Sequence, residues 1–270
     1  KVGRRLNSDE REEQSISEHP TFGVIALARH CDAIIVDDRF LNQHANIEDG
    51  SAQAPIFSTL DLLDALASTD SKTPEDHLEY RTLLRRAGYF FVPVSDDELA
   101  RHLDASTVKD DKVIETAELK AIRENILCVR MSNWLQLPKE LPWLHTLLKV
   151  FIRVLKGLWR ADPNFSSVRA RSDWIIDQID VRGWAHSFGG ENGDNLVKVG
   201  RGAHILLVLS PPADVAPEIK DEYLSWIEDR ILAPIKEQYP DLYSWIIEWQ
   251  RRQVADMADM DLTEGGGNDE

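Results

Sequence analysis

The sequence predicts an α/β portion followed by an all-α portion: a small parallel sheet with its helices, then a helical, bundle-like domain. Two observations predict this order. Between residues 20 and 108, apolar runs of strand length alternate with stretches of helical spacing, which is typical of a parallel sheet. Beyond Lys109 the strand-like runs stop, apolar residues recur at helical spacing, and all eight tryptophans follow.

The same patterns divide the 270-residue chain into four parts: a linker at 1–19, the α/β portion at 20–108, the helical domain at 109–258 and an acidic disordered tail at 259–270. The linker is charged and nearly free of apolar residues, and the tail combines acids and glycines with no Lys or Arg. Since the chain begins with Lys1, we expect it to be a fragment of a larger protein.

The elements of the α/β portion follow from local signals. They are a helix at 22–29, a strand at 32–36, a polar loop at 46–53, a strand at 55–58, a helix from Thr59, a helix at 74–86, a strand-like segment at 89–94 and a helix at 96–103. Pro74 suits the first position of its helix and Gly88 ends it. Ser95 and Glu98 have the spacing of a capping box, which predicts where the next helix starts.

The second half is predicted to be helical. Apolar spacing predicts helices at 113–129, 141–159, 172–181, 203–209, 219–231 and 242–258, with a glycine-rich loop at 187–202. Tryptophan rings can stack on nucleic-acid bases, but basic residues do not interleave these tryptophans. We therefore expect the rings to pack in the core and between helices.

Composition limits the kinds of partner. The chain carries a net charge of −16, so an RNA partner needs a local basic patch or another domain. The most apolar stretch, 141–159, contains three basic residues and a histidine, which argues against a membrane span. Cys31 and Cys128 are distant and lack CxxC spacing, as expected of reduced thiols in a cytoplasmic protein.

Two adjacent acids end the first predicted strand. The run Asp32-Ala33-Ile34-Ile35-Val36 leads directly into Asp37, Asp38 and Arg39. Open α/β sheets place metal and phosphate chemistry at the carboxyl ends of their strands, so Asp37 and Asp38 are candidate ligands. The alternative is that the pair only ends the strand, because Asp is depleted in strands and enriched in turns.

The order of these segments resembles the carboxyl-terminal half of PIN-like nuclease domains. The matching segments are Ile25-Ala26-Leu27-Ala28, Ile34-Ile35-Val36-Asp37-Asp38-Arg39, Ser58-Thr59-Leu60-Asp61-Leu62-Leu63 and Leu84-Arg85-Arg86-Ala87-Gly88-Tyr89-Phe90-Phe91-Val92. The resemblance covers roughly the first 100 residues. It leaves the helical domain without a family.

The resemblance implies a Mg²⁺- or Mn²⁺-dependent ribonuclease, in which a metal-activated water hydrolyses a phosphodiester. It implies Asp37 and Asp38 as catalytic metal ligands, with Asp61 as an additional candidate ligand. Arg39 is then a candidate phosphate contact, although a salt bridge to a neighbouring aspartate is an equal alternative. Thr59 matches the threonine that precedes the leucine-rich helix and is a candidate substrate-binding residue.

The set of acidic residues that the resemblance implies is incomplete, because residues 1–21 offer no strand that carries the first acid of a PIN domain. Two hypotheses follow. The chain is part of a metal-dependent ribonuclease of a larger bacterial protein, with missing acids supplied upstream or by a partner chain. Alternatively, it is a non-catalytic PIN-like interaction or regulatory module with a helical docking domain. The expected partners are RNA, other domains of the full-length protein or a partner chain, and no membrane.

Overall fold

The computed structural model describes residues 20–68, 74–132, 137–161, 164–179 and 208–264. The chain falls into two compact units: unit 1 comprises residues 1–81 and 137–139, and unit 2 comprises residues 82–136 and 140–270. The division after Arg81 assigns residues 82–108 to unit 2, whereas the sequence analysis grouped them with the α/β portion.

Some predicted features cannot be compared with the structure. The linker at 1–19 and the glycine-rich loop at 187–202 lie outside the described residues, as does most of the helix predicted at 203–209.

Unit 1 combines short helices with a small sheet. Its elements are α1 (Pro20–Ala26), a 3₁₀ turn (Leu27–Arg29), β1 (Ile34–Ile35), a 3₁₀ turn (Leu41–Gln43), β2 (Asn46–Asp49), β3 (Ala52–Phe57), α2 (Thr59–Ala67) and the first part of α3 (Pro74–Arg86). The helices predicted at 22–29, from Thr59 and at 74–86 are thereby confirmed.

The sheet is mixed, so the predicted parallel pairing is confirmed for β1 and β3 but not for β2. Its order is β1-β3-β2, with β1 parallel and β2 antiparallel to β3. The predicted polar loop at 46–53 contains β2 and the hairpin turn that follows it. Gly50 adopts a φ of +65° as the first residue of this two-residue turn, a conformation that glycine adopts at little cost.

Unit 1 has a small core on one face of its sheet. The buried residues are Ala28, Ile34, Ile47, Ala54 and Ile56, and Val24, Ile25 and Val36 pack against them. Since side chains alternate along a strand, Ile35 and Phe57 point to the opposite face. On that face Ile35 is 52% exposed and Phe57 is 42% exposed, so the described residues leave both side chains largely open.

Unit 2 is mostly helical, as the sequence predicts. Besides the end of α3, its elements are α4 (Asp96–Ala105), β4 (Thr107–Lys109), β5 (Lys112–Ile114), α5 (Ala117–Met131), α6 (Glu140–Ala161), α7 (Phe165–Ile179), α8 (Pro217–Ile227), a π-helical segment (Glu228–Leu232), α9 (Ala233–Gln238) and α10 (Pro240–Glu264). The capping box is confirmed, since the Ser95 hydroxyl accepts from the Glu98 amide and the Glu98 carboxylate accepts from the Ser95 amide.

The strand predicted at 89–94 was wrong. Its backbone groups bond to helix side chains, since the Asn125 amide donates to the Tyr89 carbonyl and the Trp143 indole donates to the Val92 carbonyl at 3.3 Å. Phe91 has a φ of +59°, which interrupts extended backbone. The segment therefore packs on the helices as an irregular chain, with Val92 fully buried.

The β4–β5 hairpin was not predicted. Val108 pairs with Val113 across it, and the turn residues Asp110 and Asp111 have φ values of +51° and +56°. Two positive φ values are typical of a type I′ turn, which Asn-Gly or Asp-Gly usually signals. Because the turn lacks glycine, the usual sequence signal for a hairpin is missing.

The last described helix extends into the segment predicted to be disordered. α10 continues to Glu264, so residues 259–264 are helical and only 265–270 lie outside the described residues. The extension is rich in residues that favour helices, such as Met260 and Leu262, and the first glycine occurs at Gly265.

Tryptophans form much of the unit 2 core, which confirms the packing prediction for the central rings. Trp159 and Trp226 are buried with ring centroids 5.7 Å apart, and Tyr223 lies 5.1 Å from Trp159. The Trp159 indole also donates to the Ser172 hydroxyl at 2.9 Å, so its polar atom is satisfied within the core. Trp134 and Trp184 lie outside the described residues.

A search of the described helices for an apolar span of membrane length finds none.

Candidate functional site

The predicted site begins where β1 ends. The Val36 amide donates to the Phe57 carbonyl at 2.9 Å, so the chain leaves β1 still paired with β3. Asp37 and Asp38 follow and are exposed. Thr59 lies at the corresponding end of β3, where α2 begins, so the parallel strand ends bring Asp37 and Thr59 together.

Asp37 binds the start of α2. Its Oδ1 accepts from the Thr59 backbone amide at 2.8 Å, and its Oδ2 accepts from the Thr59 hydroxyl at 2.6 Å. A helix N-terminus attracts anions because its first amides lack intrahelical partners and the helix dipole is positive there. Asp37 thus supplies a carboxylate to an amide that could otherwise bind an external anion such as a phosphate.

Asp38 has a separate local role. Its Oδ1 accepts from the backbone amides of Phe40 and Leu41, each at 2.9 Å. These bonds start the 3₁₀ turn at Leu41–Gln43. The two adjacent aspartates therefore cap different elements, which fits the alternative that the pair serves to end the strand.

Asp61 and Arg39 also have defined contacts. The Asp61 carboxylate accepts from the amide and the hydroxyl of Ser58, both at 2.6 Å, and forms a capping box with it. The guanidinium carbon of Arg39 lies 5.3 Å from the centroid of the Phe40 ring. Of the predicted site residues, Asp37 and Thr59 bond directly to each other, and Asp61 bonds to the cap of its own helix.

The metal site that the resemblance implies stays a prediction. Mg²⁺ and Mn²⁺ require several oxygen ligands, commonly including more than one carboxylate. Within the described ranges, no group of three or more His, Cys, Asp or Glu side chains is arranged to hold a metal ion. Asp37 and Asp38 supply two carboxylates that already accept hydrogen bonds. A PIN-like metal centre therefore requires further acids beyond those that the described residues bring together.

Unit 1 also has exposed apolar side chains that the sequence does not predict. Ile35 and Phe57 lie directly opposite each other in the β1–β3 register, on the face away from the core. On α2, Leu62 and Leu66 are one turn apart and 40% exposed, and this helix has no buried residue. An apolar run of strand length is normally interpreted as buried on both faces, so the sequence contains no signal that one face is open.

Comparison with known proteins identifies no relative, since no family model, no curated protein and no solved structure matches the chain. The PIN-like character of residues 20–108 therefore stays a prediction.

Proposed function

We propose that unit 1 is a PIN-like interaction module that docks an amphipathic helix of a partner chain on the open face of its sheet. We define the open face by Ile35 and Phe57. Their exposure, opposite the small core of unit 1, is the observation that carries the proposal. Large apolar side chains that remain exposed side by side are typical of binding surfaces.

Among the residues that the structure describes, no helix of unit 1 buries Ile35 and Phe57 as the helices of α/β proteins usually bury parallel strands. Parallel pairs such as β1 and β3 occur mostly in α/β proteins, where helices cover both faces of the sheet. In unit 1, α1 and the 3₁₀ turn after it contribute Val24, Ile25 and Ala28 to the core face. A helix from a partner chain is the element that would complete this layered arrangement on the other face.

The chemistry of the open face defines its occupant. Ile35 and Phe57 offer a branched aliphatic group and an aromatic ring but no charge, so they match the apolar side of an amphipathic helix. Pro55 and Gln53 continue the same face along β3, and Glu48 lies opposite Gln53 on β2. Polar side chains of the docked helix would meet this end of the face.

The roles of the acids agree with an interaction module. Asp37, Asp38 and Asp61 each accept hydrogen bonds that begin a helix or turn. Carboxylates in such positions stabilise the fold without any bound ligand. Their presence at the strand end is therefore explained without catalysis.

Peptide binding tests the proposal. The probe is a fluorescent synthetic helix with one leucine-rich face and an uncharged polar face, and binding is followed by anisotropy. We expect saturable binding to the full chain and at least about tenfold weaker binding to the Ile35→Asn, Phe57→Asn double variant. Ile114→Asn is the matched control, because Ile114 in unit 2 is also 52% exposed.

Three results would overturn the proposal: no binding by the unsubstituted chain, equal binding by the double variant, or an equal loss in the Ile114 control. Sedimentation identifies a different occupant. If the chain forms a dimer that the double variant does not form, the open face binds a second copy instead of a partner helix.

A nuclease function is the second candidate, favoured by one observation. Asp37 and Asp38 are exposed at the carboxyl end of β1, beside the end of β3, which is the edge where α/β sheets usually place their ligands. This function requires additional carboxylates from outside the described residues. Mn²⁺ binding, considered in the Discussion, separates the two candidates.

A further inference from the structure

β1 forms one edge of the three-stranded sheet in unit 1. In the described part of the chain it pairs with β3 alone, in the order β1-β3-β2. The Val36 amide donates to the Phe57 carbonyl, so this amide points toward β3. Because successive amides along a strand point to opposite sides, the amide and carbonyl of Ile35 point away from β3. The outer edge of β1 therefore presents backbone groups that a further strand could bond.

Nothing within β1 blocks this edge. Proteins usually protect an edge strand with proline, with charged side chains or with a bulge. Residues 33–36 contain neither proline nor a charged residue. Ile34 is buried and anchors the strand, whereas Ala33 is small and exposed and Ile35 is 52% exposed. An extended chain can therefore reach the backbone of β1 from the side opposite β3.

The small core of unit 1 is least complete beside this edge. α1 and the 3₁₀ turn after it pack mainly on β2 and β3, so they cover the core away from β1. Val36 lies on the same side of β1 as Ile34, but it is only half-buried. A strand added beside β1 would bury the remaining surface of Val36 and extend the core.

Acids at both ends of β1 define the charge of the occupant. Asp32 precedes the strand and Asp37 and Asp38 follow it, and all three are exposed. Two copies of β1 that paired antiparallel about their centre would place Asp32 of one copy opposite Asp37 of the other. Like charges directly opposite each other destabilise a strand pair, so a second copy is a poor occupant. A strand with basic residues at its ends is complementary to the same acids.

We propose that the free edge of β1 binds an extended segment of a partner protein as an added strand. Apolar residues at alternate positions of the segment would lie beside Ile34 and Val36, and lysine or arginine residues at its ends would lie near Asp32 and Asp38. Main-chain hydrogen bonds supply affinity in such strand addition, and the alternate side chains supply specificity.

This inference goes beyond the function proposed for unit 1, because it concerns the backbone edge of β1 and an extended partner instead of a helix. The first test uses a fluorescent peptide in which valine alternates with threonine between terminal lysines. A second probe has glutamates at its ends. We expect saturable binding of the lysine probe to the full chain and about tenfold weaker binding of the glutamate probe.

A charge variant checks where the lysine probe binds. Asp32→Asn should weaken the lysine probe about twofold to threefold, since an exposed ion pair contributes little. Asp221→Asn is the matched control, because it removes the same charge from an exposed position in unit 2. An equal loss in the two variants would mean that the probe responds only to the net charge of the chain, and would overturn the proposed position.

N-methylation of the probe tests backbone pairing without changing the protein. One further probe is methylated on its valine amides and another on its threonine amides. An added strand bonds β1 through one of its sides only, so we expect one methylated probe to lose at least about tenfold in affinity and the other to bind almost normally. Which probe loses affinity reports whether the added strand is parallel or antiparallel. Equal binding of the two would overturn strand addition.

Hydrogen exchange and one substitution locate the bound strand. On binding, exchange should slow at the outward Ile35 amide and change less at the Val36 amide, which already bonds to Phe57. Ile35→Pro removes the outward amide and should weaken the lysine probe at least about tenfold, more than Ile35→Ala, which keeps the amide. If circular dichroism shows that Ile35→Pro unfolds the chain, the methylated probes still decide the question.

The remaining outcomes are also distinct. No binding of the lysine probe, or unchanged exchange at the Ile35 amide, would overturn the proposal. Sedimentation that shows a dimer formed through β1 would also overturn it, in favour of a second copy. A chain that binds the helical probe but no extended probe retains the function proposed for unit 1 and loses this inference, so the two failures are distinguishable.

Discussion

The Asp37 carboxylate accepts hydrogen bonds from both the backbone amide and the hydroxyl of Thr59, at 2.8 and 2.6 Å, across 22 residues of sequence. The contact joins the end of β1 to the first residue of α2. It depends on the parallel pairing of β1 with β3, because that pairing places the two strand ends side by side. A carboxylate that the sequence suggested as a metal ligand thus holds a helix in place.

Removing this carboxylate should loosen the start of α2. We expect Asp37→Ala to destabilise the local structure by about 1–2 kcal/mol, the usual contribution of a helix cap. The measurement is hydrogen exchange, which should accelerate at the amides of α2. Asp32→Ala is the control, since Asp32 is an exposed acid just before the same strand. Equal exchange in the two variants would contradict the capping role.

A double-mutant cycle with Thr59→Val isolates the contact. If Asp37 and Thr59 act through each other, the double variant should lose less stability in α2 than the sum of the losses in the two single variants. Additive effects would mean that the Thr59 hydroxyl does not act through Asp37, since Thr59→Val leaves the bond from the backbone amide in place.

Mn²⁺ binding separates the interaction module from the nuclease. We expect calorimetry to find no saturable Mn²⁺ binding that Asp37→Asn with Asp38→Asn removes, because the described residues bring no third carboxylate to this pair. We also expect no Mn²⁺-dependent cleavage of a labelled single-stranded RNA. Binding and cleavage that the double variant loses would instead favour the nuclease and a ligand set completed elsewhere.

The parts of the fold that were predictable are those specified by neighbouring residues. Pro74 begins α3 and the Ser95–Glu98 box begins α4 as expected, because a fixed φ and a capping hydrogen bond act within one turn. The segment at 89–94 was not predictable in this way. Its apolar composition suits a strand, but its backbone partners include Asn125 and Trp143, which lie far along the chain.

The candidate site was predictable in its residues and not in their roles. The strand end and the matched segments single out Asp37, Asp38, Thr59 and Asp61, and the structure gives each of them a contact. Whether a carboxylate caps a helix or binds a metal depends on what surrounds it in space. The Asp37–Thr59 contact results from strand pairing, and the exposure of Ile35 depends on which elements pack against the sheet. Neither is encoded in local sequence.

A buried ion pair allows a test of what stabilises unit 2. Arg85 and Glu98 are fully buried, with Nη1 of Arg85 2.5 Å from Oε1 of Glu98, and Arg85 also donates to the Pro93 carbonyl at 2.7 Å. Removing one partner leaves the other charge buried without compensation, so Arg85→Leu should cost about 3–5 kcal/mol. Urea unfolding followed by tryptophan fluorescence measures this cost, since the residues of unit 1, 1–81 and 137–139, contain no tryptophan.

The matched substitutions complete this test. Arg86→Leu, at the next and exposed position, should change the free energy of unfolding by no more than about 0.5 kcal/mol. Replacing Arg85 and Glu98 together by leucine should cost much less than either single change, because no charge is left unpaired. A double variant as unstable as the Arg85→Leu single variant would show that the loss comes from packing or from the lost bonds to the Pro93 carbonyl and the Ser95 amide, and not from the unpaired charge.

Glu115 should make the stability of unit 2 depend on pH. Its Oε1 accepts from the Arg123 guanidinium and from the Trp174 indole, each at 2.8 Å, and so links the end of β5 to α5 and α7. Burial alone would raise the pKa of Glu115, but the hydrogen bonds from Arg123 and Trp174, together with the charge of Arg123, outweigh it and lower the pKa below its ordinary value of 4.5.

The sign of the effect follows from proton binding. Because the folded pKa is lower, the unfolded chain binds more protons at Glu115 below pH 4.5. The stabilisation is complete above that value and is lost as the pH falls through the folded pKa. Glu115→Gln should therefore cost about 1–2 kcal/mol near neutral pH, from weakened hydrogen bonds to a charged group, and less in acid.

Urea unfolding at about pH 7 and about pH 3.5 measures the difference in the free energy of unfolding between Glu115→Gln and the unsubstituted chain. Glu124→Gln is the control, since Glu124 is 51% exposed and lies 3.9 Å from the same arginine. An exposed ion pair contributes little, so Glu124→Gln should lower the free energy of unfolding only slightly at both pH values. If the Glu115→Gln deficit is constant or grows in acid, the hydrogen bonds of Glu115 stabilise unit 2 independently of its charge.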